Sequence, residues 1–352
     1  MDTKKLYKMG GTIIGIILFL LLCVILLSSC SSKGSYSKLE KKLLEATEKY
    51  VSDGKVIVNE GTSIVVSSDE LVSADYIKSL DKIKDDNCTA TVTVMNNGGA
   101  YNYIPNISCD NYKTVTLKEK IVEDNLTTSE SGLYYENGEY IFKGKIPNNY
   151  LKFDGSIWLI IKIDSNGNLK VVSVEPSKQT VAWDNKFNED TNKTSGENDY
   201  STSNIHDILE KTYAKYKSNN KKHLIPFNAC IGKRTVESID KTSLIDCSEK
   251  LSNQYLGLIS PSDYALASYD PDCKDVISGS CINFNYLYMK LSETWTSNAI
   301  ADNSYEAILY SPGRIRKAET REGHTYNTVI YLSGSEKYID GDGSEENPYV
   351  IK

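Results

Sequence analysis

Apolar residues run almost without a break from Gly10 to Leu27, recur at helical spacing from Ser37 to Val51, and alternate with polar residues from Thr89 onward. At about 1.5 Å rise per residue the first run makes a helix about 27 Å long, close to the thickness of a hydrocarbon core. Lys4, Lys5 and Lys8 precede it. Positive charge on that flank keeps residues 1–9 cytoplasmic and places the chain beyond about Ser31 outside. Residues 10–29 are therefore expected to anchor the chain in a membrane, in one of two forms. One is an uncleaved signal-anchor helix, since the run is longer than the apolar core of a secretory signal. In the other, Leu27-Ser28-Ser29-Cys30 is a lipoprotein cleavage site that leaves a lipid on Cys30. Residues 30–35 form a polar tether in either case.

Beyond the tether, Leu39, Leu43, Leu44, Ala46, Tyr50 and Val51 fall on one face of a helix, with Lys and Glu opposite. A strand is expected over Thr62 to Val66. Ser67 and Glu70 then form a capping box for a short helix whose apolar face is Leu71, Ala74 and Ile77. Thr89 to Val94 alternates and is rich in β-branched residues, Asn97-Gly98-Gly99 turns the chain, and Ala100 to Ser108 returns. With Gly98 and Gly99 as the two loop residues, counting outward puts Cys88 opposite Cys109. That pairing predicts a disulfide, which the chain-entropy model values at about 3 kcal/mol for a loop of this size.

Residues 117–131 are polar and charged and read as a linker. After it come short strands: Tyr150 to Phe153, Ile157 to Ile163 and Leu169 to Val174, separated by turns at Asp154-Gly155 and Asn166-Gly167. The Ile157 to Ile163 strand is apolar on nearly both faces, which predicts a central position. Ser203 caps a helix to Tyr216 with Ile205, Ile208, Leu209, Tyr213 and Tyr216 on its apolar side and His206 on its polar side. Ser260, Pro261 and Asp263 start another. The fold class is α+β: a membrane helix, a small α+β domain over 36–116, and a larger α+β domain over 132–352 with short strands and long stapled loops.

Cysteine usage supports the outside location. Cys23 and Cys30 lie in or beside the apolar run, and the other six form neighbouring pairs, Cys88/Cys109, Cys230/Cys247 and Cys273/Cys281. In an extracytoplasmic chain such pairs read as disulfides. No CxxC occurs, and His206, His223 and His324 lack ligand spacing, so neither a metal nor another cofactor is expected. A net charge of −7 argues against nucleic acid as a partner. Tyr outnumbers Phe 25 to 6, which suits half-buried strands and wet recognition surfaces.

No GxSxG, HExxH or P-loop is present, and the SxxK matches at Ser35, Ser79 and Ser218 have no KTG to accompany them, so the chain reads as non-enzymatic. Asp340, Asp342, Glu345 and Glu346 have the oxygen chemistry to hold calcium, but a Gly-rich acidic segment is more often a solvated turn. Arg314, Arg316, Lys317 and Arg321 read as a solvated hairpin. The candidate ligand face is Asn283, Asn285, Tyr286, Tyr288, Trp295 and Asn298, which offers aromatic faces and amides on loops.

"KLEKKLLEATEKYV", "SSDELVSADYIKSL" and "DNCTATVTVMNNGGAYNYIPNISCDNYKT", over roughly Ser35 to Thr114, resemble the pilin-like domains of Gram-positive (Firmicutes) envelope proteins. From Gly132 on, "NNYLKFDGSIWLIIKIDSNGNLKVV", "YLGLISPSDYALASYD", "TWTSNA", "NTVIYL" and "GDGSEENPYVI" resemble the C-type-lectin-like modules of bacterial surface proteins. Together the resemblances imply an envelope-anchored surface protein that binds a glycan, cell-wall or surface-protein ligand. The alternatives they leave are a structural part of a pilus-like or wall-associated assembly and an enzyme of the formylglycine-generating fold class.

Overall fold

A computed structural model describes residues 36–78, 87–185, 196–235 and 241–351. The expected anchor at 10–29 and Cys30 lie outside the described residues. Among the described residues no helix is long and apolar enough to cross a membrane. The fold is α+β, and the chain divides into two compact units. One takes in the chain up to Val58 with Ile64–Val94 and Tyr103–Thr114. The other takes in Asn59–Ser63, Met95–Asn102 and Val115–Lys352.

In the first unit a helix over residues 36–52 follows the apolar spacing, burying Leu43 and Ala46. These side chains share a core with Val66, Leu71, Val92, Val94 and Ile107. The strands Thr62–Ser67, Thr89–Asn97 and Ala100–Ser108 form a sheet in that order. The capping box is present at the helix Ser68–Ser73: Ser67 N–H donates to Glu70 Oε2 at 2.7 Å and Glu70 N–H to Ser67 Oγ at 3.2 Å. A two-residue Gly98-Gly99 turn joins the hairpin strands, and Cys88 is bonded to Cys109. Both glycines have positive φ, the backbone this turn demands.

The second unit is built on a sheet ordered Val329–Ser333, Asn168–Ser173, Ser156–Ile163, Glu139–Lys143, Gly132–Glu136. Ser156–Ile163 is central, as its two-sided apolar pattern predicts. One of its edges pairs with Asn168–Ser173, and the other is shared between Tyr150–Phe153 and Glu139–Lys143. Trp158, Leu159, Ile160, Ile161 and Ile163 are buried, each contributing about 1.5–3 kcal/mol if fully removed from water. Tyr349–Val350 adds a parallel strand to Tyr150–Phe153. A second sheet runs Lys233–Arg234, Thr294–Ile300, Glu306–Ser311, Arg314–Glu319. The helices Asn204–Ala214 and Pro261–Leu266 start at the expected caps, with Asp263 accepting Ser260 N–H at 2.7 Å. Disulfides Cys230–Cys247 and Cys273–Cys281 are both closed.

The structure corrects the linker. Leu117–Asn125, inside the 117–131 stretch read as a polar connection, is an α-helix with a Thr116/Glu119 capping box. Its Leu117 and Ile121 are fully buried in the main core. Its first N–H groups, which have no partner within a helix, donate to loop carbonyls: Leu117 to Glu336 at 2.7 Å and Lys118 to Gly334 at 2.9 Å. Charged residues fill its exposed side, and that masked its short apolar stripe.

Candidate functional site

Of the six residues named as a ligand face, four are packing residues. Asn285 is fully buried and caps the helix Tyr286–Lys290: its Oδ1 accepts from Leu287 N at 3.0 Å, and its Nδ2 donates to Tyr264 O and Cys281 O at 2.8 Å each. Asn298 is fully buried, donating to Gly232 O at 2.8 Å and Asp246 O at 3.0 Å. Trp295 and Tyr286 are buried as well, with the Trp295 indole N–H given to Val181 O at 2.9 Å. Thr294–Ile300, polar by composition, is buried along its whole length because its polar side chains find partners inside. Only Asn283 and Tyr288 reach the surface, and the Asn283 amide is already committed to Asp270 Oδ2 at 2.7 Å.

A cleft of about 450 Å³ lies elsewhere in the second unit, between the helix Leu117–Asn125 and the turn over residues 340–348. The turn is held in place at both ends. Tyr349–Val350 pairs with Leu151 and Lys152 after it, and Tyr150 N–H bonds Gly343 O at 2.9 Å within it. Gly341 and Gly343 both have positive φ, and a Cβ on either would meet a backbone carbonyl oxygen at 2.1 Å, Pro348 O and Asn148 O respectively. No other residue fits these two positions.

The opposite wall is one helical face. Lys120 Nζ bonds Asp124 Oδ1 at 2.6 Å, one turn on, and lies 5.7 Å from the centroid of the Tyr338 ring. Asn125 donates to the Tyr349 hydroxyl at 2.9 Å, which donates in turn to Asp124 Oδ2 at 3.0 Å. Tyr338 donates to Gly341 O at 2.9 Å, which ties its ring to the turn along the cleft lining. On the turn, Asp342 accepts Ser344 N–H at 2.9 Å, and Asn347 and Asn148 add amides to the lining. Hydrogen bonds from Ser344, side chain and backbone, and from Asn347 hold the Asp342 carboxyl below the usual carboxylate range. Burial pushes the Tyr349 hydroxyl far up, so it stays a donor.

No family model, curated protein or solved structure matches this chain.

The cleft is thus described by its chemistry alone: carboxylates at Asp124, Asp340 and Asp342, amides at Asn125, Asn148 and Asn347, one lysine already paired, and one aromatic ring. Carboxylates accept from hydroxyl or ammonium donors, an amide both gives and accepts, and a fixed ring packs on an apolar C–H face. Among the described residues no group of three or more His, Cys, Asp or Glu is arranged to hold a metal ion. Asp340 and Asp342 instead accept backbone N–H groups of their own turn, from Gly341 and Ser344. Glu345, the third acidic residue of that segment, is spent on Lys290 at 2.8 Å. The cleft has little sign in the sequence because its helical wall is polar and charged and reads as a linker. The signals that reveal it are the Thr116/Glu119 capping box and Lys120 and Asp124 spaced one turn apart.

A second concentration of charge is buried and structural. Arg234 Nη1 bonds Asp246 Oδ1 at 2.8 Å with both side chains fully buried. Lys170 Nζ bonds both Asp263 oxygens, at 2.8 and 2.6 Å. Burial pushes Asp246 up against the opposing pull of Arg234 and Ser262. For Asp263, burial is outweighed by the Lys170 charge and hydrogen bonds, and the carboxyl lies below its ordinary range. The space beside Lys170 and Asp263 is about 50 Å³, room for ordered water and not for a ligand.

Proposed function

We propose that this chain is an envelope-anchored, extracytoplasmic, non-enzymatic binding protein whose larger unit takes a hydroxyl-rich ligand, a cell-wall or surface carbohydrate, in the cleft between Leu117–Asn125 and residues 340–348. The observation that carries the reading is the lining itself: fixed amides, carboxylates and the Tyr338 ring on a helix and a glycine-locked turn. The volume, about 450 Å³, lies within the range of small-ligand sites. The outside location is supported by the three closed disulfides, which persist in oxidising compartments, and by the lysine-flanked apolar run. A pilin-like first unit serves in this reading as the spacer, and a C-type-lectin-like second unit as the recognition head.

Calorimetric titration of the purified protein with a panel of wall polysaccharides and defined oligosaccharides tests it. Asp342→Asn and Asn347→Ala are each expected to weaken binding about tenfold or more, the worth of a hydrogen bond to a charged or well-placed polar group. Since the folded Asp342 carboxyl is held low, its ionised form persists as pH falls through the ordinary carboxylate range and is lost only below it. Affinity is therefore expected to survive at about pH 4, where an ordinary Asp is half protonated. Wild-type protein that binds no carbohydrate in the panel, while copies of it associate with one another, would move the assignment to a structural role in an assembly.

A further inference from the structure

Hydrogen bonding in the cleft between Leu117–Asn125 and residues 340–348 leaves a surplus of acceptors. Asn125 is only 8% exposed, and its partners fix which way its amide is turned. Nδ2 donates to Ile121 O at 3.0 Å, a carbonyl that can only accept, and to the Tyr349 hydroxyl at 2.9 Å. Both amide hydrogens are thereby spent. Oδ1 takes no donor from the described residues and is the atom of this amide left for the cleft. Asp124 is in the opposite state. Lys120 Nζ takes its Oδ1 at 2.6 Å and the Tyr349 hydroxyl its Oδ2 at 3.0 Å, so both oxygens are used.

The turn differs from the helix. Asp340 accepts Gly341 N–H and Asp342 accepts Ser344 N–H, each at 2.9 Å and each through Oδ1. These donors are neutral backbone groups. Among the described residues neither carboxylate is paired with a lysine, arginine or histidine. Glu345, on the same turn but outside the lining, already has Lys290 at 2.8 Å. The lining thus sets three carboxylates against one lysine, and that lysine is matched to Asp124. The charges of Asp340 and Asp342 are left without a counterion. The Tyr338 ring completes the picture, with Lys120 Nζ 5.7 Å from its centroid, within the range at which an aromatic face attracts a cation.

We propose that the carbohydrate taken by this cleft is an amino sugar with a free, protonated amine, its ammonium held by Asp340, Asp342 and the Asn125 carbonyl oxygen. The inference rests on the carbohydrate assignment of the cleft and specifies which carbohydrate. An ammonium has three donors and no acceptor, the complement of a lining whose open atoms are acceptors. N-acetylation replaces it with a neutral amide that keeps one N–H and brings a carbonyl oxygen to a carboxylate-rich wall. A sugar bearing a carboxylate or phosphate would meet like charge, since Lys120 is already spent on Asp124. Asp340 and Asp342 are exposed, so the attraction weakens as salt screens it. Selection in this cleft is therefore by the charge of the sugar's nitrogen.

Cellotetraose, chitotetraose and fully de-N-acetylated chitotetraose share one backbone and differ only at the second carbon of each ring. Each is titrated calorimetrically into the full-length protein in mildly acidic buffer, where the free amines are charged. The amine form is expected to bind about tenfold more tightly than the N-acetylated form, the scale of a hydrogen bond to a charged group. Added salt should shrink that ratio. Asp340→Asn keeps the size of the side chain and an acceptor for Gly341 N–H, and should cut the ratio to about threefold; adding Asp342→Asn should bring it to about one. Glu346→Gln removes the same charge from the same segment outside the lining and should leave the ratio unchanged. General attraction of a cation to a chain of net charge −7 would respond alike to both sites. The inference is overturned if the N-acetylated or glucose oligomer binds as tightly as the amine form, or if Glu346→Gln lowers the ratio as much as Asp340→Asn. A protein that binds other carbohydrates but not the amine form overturns the inference alone, whereas one that binds no carbohydrate overturns the cleft assignment with it.

Discussion

Replacing Asp246 by alanine is expected to destabilise the larger unit by about 3–5 kcal/mol, the cost of leaving one member of a buried ion pair without the other. The Arg234 guanidinium would remain fully buried without its carboxylate at 2.8 Å. Ser262 N–H, which donates to the other Asp246 oxygen at 2.8 Å, would lose its acceptor. Denaturant unfolding followed by tryptophan fluorescence measures the loss. The double variant Arg234→Met/Asp246→Leu separates cause from consequence: removing both charges takes away the desolvation cost along with the attraction, so most of the lost stability should return. A double variant as unstable as Asp246→Ala alone would show that packing or the Ser262 contact matters more than the lost ion pair.

Trp295→Ala is the second large effect, about 3–5 kcal/mol from the cavity left by a wholly buried indole together with the lost bond to Val181 O. The experiment also decides between two roles for this residue. A ligand-contacting tryptophan would lose affinity and cost little stability. The packing role described here predicts the reverse: strong destabilisation, with carbohydrate affinity unchanged at temperatures where the variant remains folded. Thermal unfolding and calorimetric titration of the same preparation give both numbers.

The contrast at Trp295 shows where the sequence is readable. The hairpin Thr89–Asn97/Ala100–Ser108 and its Cys88–Cys109 bridge follow from local facts, a two-glycine turn and alternation outward from it. The central place of Ser156–Ile163 follows from apolar residues on both of its faces, and the helix Asn204–Ala214 from a cap and a helical stripe. Thr294–Ile300 defeats the same reasoning. Its Thr, Ser and Asn side chains look like a wet surface until long-range partners such as Gly232 O, Cys230 O and Ile308 O are in place. A polar side chain whose acceptor lies many residues away carries no local sign of being buried.

The cleft is hard to read for a related reason. Lys120 and Asp124 stand on a helix, and Asp342 and Asn347 on a turn near the far end of the chain. They meet because Tyr349–Val350 pairs with Tyr150–Phe153. Asp340 and Asp342 show in the sequence as acidic chemistry, whereas the amides and the Tyr338 ring that set them in a recess do not. Burial of Leu117 and Ile121 holds the helical wall. The apolar pair alone was too short a stripe to outweigh the charged residues around it.

The most direct test of the binding assignment is to see which atoms feel the ligand. Amide and side-chain NMR spectra of the isotopically labelled protein, recorded with and without the tightest-binding oligosaccharide, locate the site without any substitution. The account predicts that the largest shifts fall on the side-chain amides of Asn125, Asn148 and Asn347 and on the backbone of Gly341 to Ser344, with the Tyr338 ring moving alongside. Shifts concentrated instead at Asn283, Tyr288 and the Cys273–Cys281 loop, with the cleft resonances unmoved, would contradict it.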